Sequence, residues 1–366
     1  MNLPLIVRII PLVMGILAAV AHWFIPRLTR PDLYFAVTVA PGFRDSPEGK
    51  SILLRYRRGI IGVSALTLPL LAACFLTPAF ALAPLFILLL LACCFGLFYR
   101  ARRLVLPHAL PPTTIREAEV TPGNRRIPGS WVSASGPFVL LAACAGYLWT
   151  HWPQIPARLV LHWGAQGQPD RWAARSAGVV FFPLIIAAAV LLAMTLILYG
   201  IAHWLRPIYA GGLQGARESR FRRTISTLLL AVEYSIALLF SWVAIRPLLP
   251  ASYQRPPAAI AILPGLIAIA MTGILMWLGQ GGSRTPAAQG LQSQSTKPVG
   301  DRTDDRFWKL GVFYFNRDDP SVMVEKRFGI GYTMNFAHPV AWAILLLLLL
   351  VPIAITTSFL VRHAMR

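Results

Sequence analysis

Apolar residues along this chain come in runs of about twenty, the length of helix that crosses a bilayer at 1.5 Å rise per residue. Eight such runs lie at 3–24, 59–77, 79–99, 131–149, 177–205, 224–245, 258–279 and 339–361. Leu76, Thr77, Pro78 and Ala79 join the second to the third so tightly that they predict a helical hairpin. The fourth run is the most polar, with Ser133, Ser135, Gly136 and Pro137 in its first third. Pro69, Pro84, Pro183 and Pro352 fall inside runs and predict kinks, which neighbouring helices tolerate by satisfying the freed carbonyls.

Three polar stretches interrupt this pattern. At 151–176, Pro153 and Pro156 hold the chain extended, 158–163 is short and β-prone, and Gly164, Gly167 and Pro169 supply turn chemistry. At 281–300, Gly, Ser, Gln and Pro predominate, as in a flexible linker. At 301–338, aromatic and β-branched runs at 307–315, 322–328 and 332–336 are separated by Asn316-Arg317-Asp318-Asp319-Pro320 and by Gly329-Ile330-Gly331, which predicts a compact three-stranded meander. The expected fold class is an all-α polytopic membrane protein: an eight-span helical bundle with a small cytoplasmic β-rich module. Its divisions are spans one to four at 1–150, an external loop at 151–176, spans five to seven at 177–280, the linker at 281–300, the module at 301–338 and the last span with its tail at 339–366.

Composition removes the soluble alternatives. Only 13% of residues are charged and 56% are hydrophobic, where soluble chains carry about 25% charge. Thirty prolines and 27 glycines exclude a coiled coil. The net charge of +20 would suggest nucleic acid in a soluble protein, but in a polytopic one it marks cytoplasmic loops. Of the 34 Lys and Arg, 26 fall in the loops after spans one, three, five and seven, and 8 on the other side. That asymmetry predicts an inner (plasma) membrane protein with both termini outside and no nucleic-acid partner. Arg8, the apolar run 9–20 and Ala19-Val20-Ala21 resemble a cleavable signal, but seven basic residues follow at once, so the segment is expected to stay as a span. The four cysteines lie in apolar runs, without metal-ligand spacing, and read as packing residues. Trp23, Trp149, Trp152, Trp204 and Trp277 sit at span ends, as interface anchors do.

Candidate chemistry is sparse. His162 and Asp170 are two ligands at most, too few for a closed metal site, so structural packing of an ordered loop is the plainer reading. Asp318 and Asp319 read as solvated turn formers, and Glu325-Lys326-Arg327 as a solvated strand edge. Gly329 and Gly331 form a turn and not a phosphate loop, because no Gly-Lys-Ser/Thr follows. Seven scattered histidines show no nucleophile–base pattern, so neither catalysis nor a cofactor nor a metal is expected. One residue breaks the apolar rule. Glu233 lies mid-span, where an ionised group costs about 2.5–3.5 kcal/mol on insertion scales. The plain reading is a protonated or hydrogen-bonded packing residue facing protein; the functional one is the carboxylate of a small-solute transporter or permease.

Two segments carry resemblances. The order Ile155-Pro156, His162-Trp163, Gly167, Pro169-Asp170, then a basic residue and serine, resembles the domain of unknown function 1648, found in membrane proteins related to the sporulation-delaying-toxin immunity protein. Gly164 departs from the polar residue expected there. Trp308-Lys309, Gly311, Phe313-Tyr314, Asn316, Asp319-Pro320, Glu325-Lys326-Arg327, Gly329, Gly331 and Asn335-Phe336 resemble the domain of unknown function 5808, with Arg317 replacing an expected proline. The segment 35–57 is similar to the loop after the first span in multi-span members of this group. The resemblances imply a non-enzymatic bacterial membrane protein of the immunity and signalling kind. It would bind a peptide toxin or other envelope ligand through His162, Trp163 and Asp170, and couple to a cytoplasmic regulator.

Overall fold

The computed structural model describes residues 5–364 apart from 31, 41, 77–81, 112–129, 164–168, 204, 206–211, 251–257 and 283–303. Helices dominate it: α1 (Leu5–Leu28), α2 (Pro47–Leu76), α3 (Ala83–Val105), α4 (Ser130–Thr150), α5 (Ala177–Val180), α6 (Phe182–His203), α7 (Gly212–Ile245), α8 (Ala258–Leu278) and α9 (Pro339–Ala364). Among the described residues six helical segments are long and apolar enough to cross a membrane: Ile9–Leu28, Pro47–Cys74, Ala83–His108, Trp131–Thr150, Phe182–His203 and Gly215–Leu248. α8 and α9 occupy the two remaining apolar runs. The tight link at 77–81 and most of the linker lie outside the described residues.

The helices differ from their sequence limits where polar residues continue the helical backbone. α2 starts at Pro47 and α7 at Gly212, well before the apolar runs begin. Both extensions are strongly basic, which is why the apolar pattern alone does not include them. The fifth run divides, because short α5 ends at Val180 and α6 begins only at Phe182. Pro84 and Pro183 fall in the first turns of α3 and α6, where a missing N–H costs nothing, and so kink neither helix.

After α1 the chain folds back as a small antiparallel hairpin, β1 (Leu33–Tyr34) with β2 (Val37–Thr38). Its two turn residues, Phe35 and Ala36, both have positive φ, as the tight hairpin turn demands, although neither is Gly or Asn. Burial holds this strained turn in place. Residues 34–37 pack with Tyr56 of α2 and with Leu90, Cys94 and Phe98 of α3. Arg102 Nη1 donates to Ala36 O at 2.6 Å, and Tyr34 Oη to Gly49 O at 2.8 Å. Arg44 donates to the carbonyls of Thr29, Arg30 and Leu33, tying the loop to the end of α1.

The β-rich module is two hairpins and not one meander. β5 (Trp308–Lys309) pairs with β6 (Phe313–Tyr314), and β7 (Met323–Glu325) with β8 (Tyr332–Met334). The run at 307–315 breaks in its middle because Leu310 and Gly311 both take positive φ. A single parallel bridge between Tyr314 and Asn335 joins the hairpins. Asn335 is fully buried and fastens this joint: its Nδ2 donates to the carbonyls of Asn316, Asp319 and Ser321, and its Oδ1 accepts from Asn316 N and Ala337 N.

Asp318 is exposed, as a solvated turn former should be, but Asp319 and the Glu325–Arg327 edge are not solvated. Asp319 Oδ1 accepts from Ser321 N and Oδ2 from Tyr314 Oη, both at 2.9 Å. Arg327 is buried, pairs with Asp305 and lies over the Trp308 ring at 5.2 Å. Glu325 pairs with Arg30 at the end of α1. Charges in these positions face the helix ends and each other, so the chain pairs them rather than hydrating them.

Candidate functional site

The segment resembling domain 1648 is built as helix, hairpin, helix. α4 ends at Thr150, and β3 (Arg158–Trp163) pairs antiparallel with β4 (Pro169–Ala174) before α5 and α6 follow. Alternation decides which face packs. Leu159 and Ala173 are buried, while Arg158 and Ala174 are exposed and Trp172 is 52% exposed. The buried face joins Leu148 of α4, Leu184 of α6 and Ala244 of α7, with Ile155 below it. Arg175 fixes the root. Its Nη1 donates to Trp152 O at 2.8 Å and to Ile155 O at 2.7 Å, and its guanidinium lies 5.6 Å from the centre of the Trp152 ring. The loop is therefore an ordered shelf seated on three helix ends.

His162 and Trp163 lie at the far end of β3, and Asp170 near the start of β4. The register pairs His162 with Arg171 and Trp163 with Pro169, and irregularities flank His162 on both sides. The backbone thus brings all three candidate residues to the tip of one hairpin; their side chains, and Gly164 and Gly167, lie outside the described residues. Among the described residues no group of three His, Cys, Asp or Glu could hold a metal ion.

Glu233 stands apart from this tip. It lies eleven positions before Ala244, which is about 16 Å along the helix at 1.5 Å per residue. It is fully buried, at 0% exposure. Thr195 Oγ1 of α6 donates to its Oε2 at 3.5 Å, and its Oε1 has no hydrogen-bond partner among the described residues. The next residue, Tyr234, turns to α4, where its hydroxyl donates to Ser133 O at 3.1 Å. That hydroxyl sits where a side chain at Gly136 would be, so the glycine lets α4 and α7 approach. Glu233 therefore faces protein at a junction of α4, α6 and α7.

A second site, which the sequence presented as a tethered module, is a cap on the opposite end of the bundle. Phe328 stacks on Phe98 of α3 with ring centres 3.8 Å apart, and Val312 joins the same cluster. Met323 forms a parallel bridge with Leu205, just past α6, and packs with Phe221 and Ile225 of α7 and Leu278 of α8. Gln280, next to the expected linker, donates from Nε2 to Gly331 O at 3.0 Å and accepts from Gly331 N at 2.7 Å. Its amide thus pairs with the module backbone as a neighbouring strand would. Trp342 at the start of α9 donates to Phe336 O. Burial pushes the Tyr332 hydroxyl above its ordinary range, against the pull of Arg222, and holds the Lys326 ammonium below its usual range.

No curated protein and no solved structure matches this chain. Two family models do, and each falls on one of the two sites just described. Residues 139–187, the α4–hairpin–α6 unit, match the domain of unknown function DUF1648, and residues 317–342, the β7–β8 hairpin with the start of α9, match the family of unknown function DUF5808.

Proposed function

We propose that this chain is an eight-span inner-membrane protein, with both termini outside, that binds a peptide toxin or other envelope ligand at the 155–176 hairpin and relays occupancy to the module. In this reading the module lies on the cytoplasmic face, where a regulator docks, and no catalysis takes place. One observation carries the reading: the same two helices bear on both sites. The hairpin rests on Leu184 of α6 and Ala244 of α7, and the module on Ile201 of α6 and Phe221 and Ile225 of α7. A shift of either helix along or about its axis therefore reaches both ends. The orientation follows from charge, since 26 of 34 basic residues lie in the loops assigned to the module's side.

Two measurements test it. Reporter fusions at Gln289 and Gln166 are expected to read cytoplasmic and external respectively, and the reverse pair overturns the orientation. For the relay, Arg175→Ala releases the hairpin root, and amide exchange is then followed in the module. Altered protection at 323–325 and 332–334 is expected. A loosened hairpin with an unchanged module overturns the coupling.

A further inference from the structure

A groove on the outer wall of the bundle shares one lining side chain with the buried carboxyl of Glu233. The groove measures about 420 Å³ and is lined by Trp131, Val132, Ala134, Ser135 and Phe138 of α4 and by Thr195 of α6. Its rim faces out of the bundle, with Val132 78% exposed. Thr195 connects the two, because the same side chain lines the groove and donates to Glu233. The Ser135 hydroxyl is turned back to its own helix, on Val132 O, which leaves Thr195 as the polar lining group that leads inward. Two of the lining side chains are aromatic, Phe138 and Trp131, the latter packed 5.8 Å from Tyr199 and 6.4 Å from His203.

We propose that this groove is a binding site for a lipophilic organic cation that enters from the bilayer, with Glu233 as its counter-ion and Thr195 as the side chain between them. Charge complementarity selects this occupant. Glu233 takes part in no ion pair among the described residues, and one of its oxygens has no partner there. A cation in the groove lies beside the Trp131 and Phe138 rings, whose π-faces attract positive charge, and one side chain away from a carboxyl in a medium of low dielectric constant. A lipid acyl chain satisfies neither the carboxyl nor the ring faces' preference. An anion meets repulsion from both. The site is separate from the hairpin and the module, so it stands or falls independently of the relay proposed above.

The test uses the full chain in nanodiscs of zwitterionic lipid, with tritiated tetraphenylphosphonium as the probe. Saturable binding at one site per chain is expected. Glu233→Gln should weaken it at least about tenfold, the scale of losing one partner of a buried charge pair. Val132→Trp fills the groove from its exposed rim without touching the core and should abolish binding, and Thr195→Val should weaken it less than Glu233→Gln. Tetraphenylborate, of the same shape and opposite charge, should not compete. The proposal is overturned by an absence of saturable binding to the unmodified chain, as expected if only acyl chains fill the groove. Unchanged affinity in Glu233→Gln or in Val132→Trp, or competition by the borate, overturns it equally. Should Glu233→Gln fail to fold, Val132→Trp and the borate control decide the matter alone.

Discussion

Gly311 offers the sharpest test of how the module is held. Its φ of +80° is one that residues with a side chain adopt at a cost of about 1–2 kcal/mol. A Cβ there would stand 2.8 Å from Arg102 Cδ, 3.0 Å from Arg102 Nε and 3.2 Å from Phe98 Cζ. Arg102 has little room to yield, since it is buried and its guanidinium holds Ala36 O. Such overpacking typically costs about 1–3 kcal/mol. Gly311→Ala should therefore weaken docking by about 2–5 kcal/mol, which at about 1.4 kcal/mol per decade raises the open population roughly thirtyfold to a few thousandfold. The assay is amide exchange on the full chain in nanodiscs. Protection should fall at 313–314 and 323–325, and also in the 33–38 hairpin, because Arg102 serves both. Gly329→Ala is the control. Its φ of +91° carries the same backbone cost, but nothing lies within 4 Å of the added Cβ. Equal effects from the two substitutions, or a disturbed module beside an unchanged 33–38 hairpin, would refute the role given to Arg102.

Further outcomes follow from the same contacts. Asn335→Ala strands several buried backbone groups at about 1–3 kcal/mol each, so thermal stability should drop clearly, and Asn335→Asp should fare little better because it keeps the acceptor but loses the donors. Lys326→Met should stabilise the chain near neutral pH. The folded state binds the Lys326 proton less tightly than the unfolded state does, so wild-type stability rises with pH only between the lowered folded value and the ordinary lysine value of 10.5, and the advantage of the variant should narrow over that window in paired unfolding curves. Gly136→Leu should drive Tyr234 off Ser133 and lower the yield of folded protein, whereas Gly146→Leu, with open space around it, should not.

Much of the helical architecture was legible because it depends on a local quantity. Twenty apolar residues suffice to announce a span, and the helices fall on the expected runs, including the polar fourth at Ser130–Thr150. The first strand at 158–163 and the turn after it were legible from proline, glycine and a β-prone run; the second strand at 169–174 was not. What the sequence concealed are contacts between residues far apart in the chain. Arg30 meets Glu325 across almost the whole chain, and Gln280 pairs with Gly331 from a position that composition assigned to the edge of a linker. The turn at Phe35 and Ala36 carries none of the usual Asn or Gly, since tertiary burial imposes its positive φ. Glu233 was conspicuous as an acid in an apolar run. Its relation to Thr195 and the groove was not, because three helices have to meet before it exists.

The module at 301–338 illustrates why such concealment matters. A unit of about 35 residues is below the size at which a chain buries enough surface to fold alone without disulfides or metal. The apolar residues Val312, Met323, Phe328 and Tyr332 find too few partners within the module, and each is packed against the helices instead. They do so on two sides: Val312 and Phe328 in the cluster that holds Phe98 of α3, Met323 and Tyr332 against α6, α7 and α8. The module thus joins the first helices of the chain to the later ones. Docking is a condition of its folding rather than an accessory state, and a regulator that displaced it would have to unfold it as well. A partner bound to the docked module requires no such cost. In the proposed relay it would need only to prefer one arrangement of the helix ends that the module already clasps.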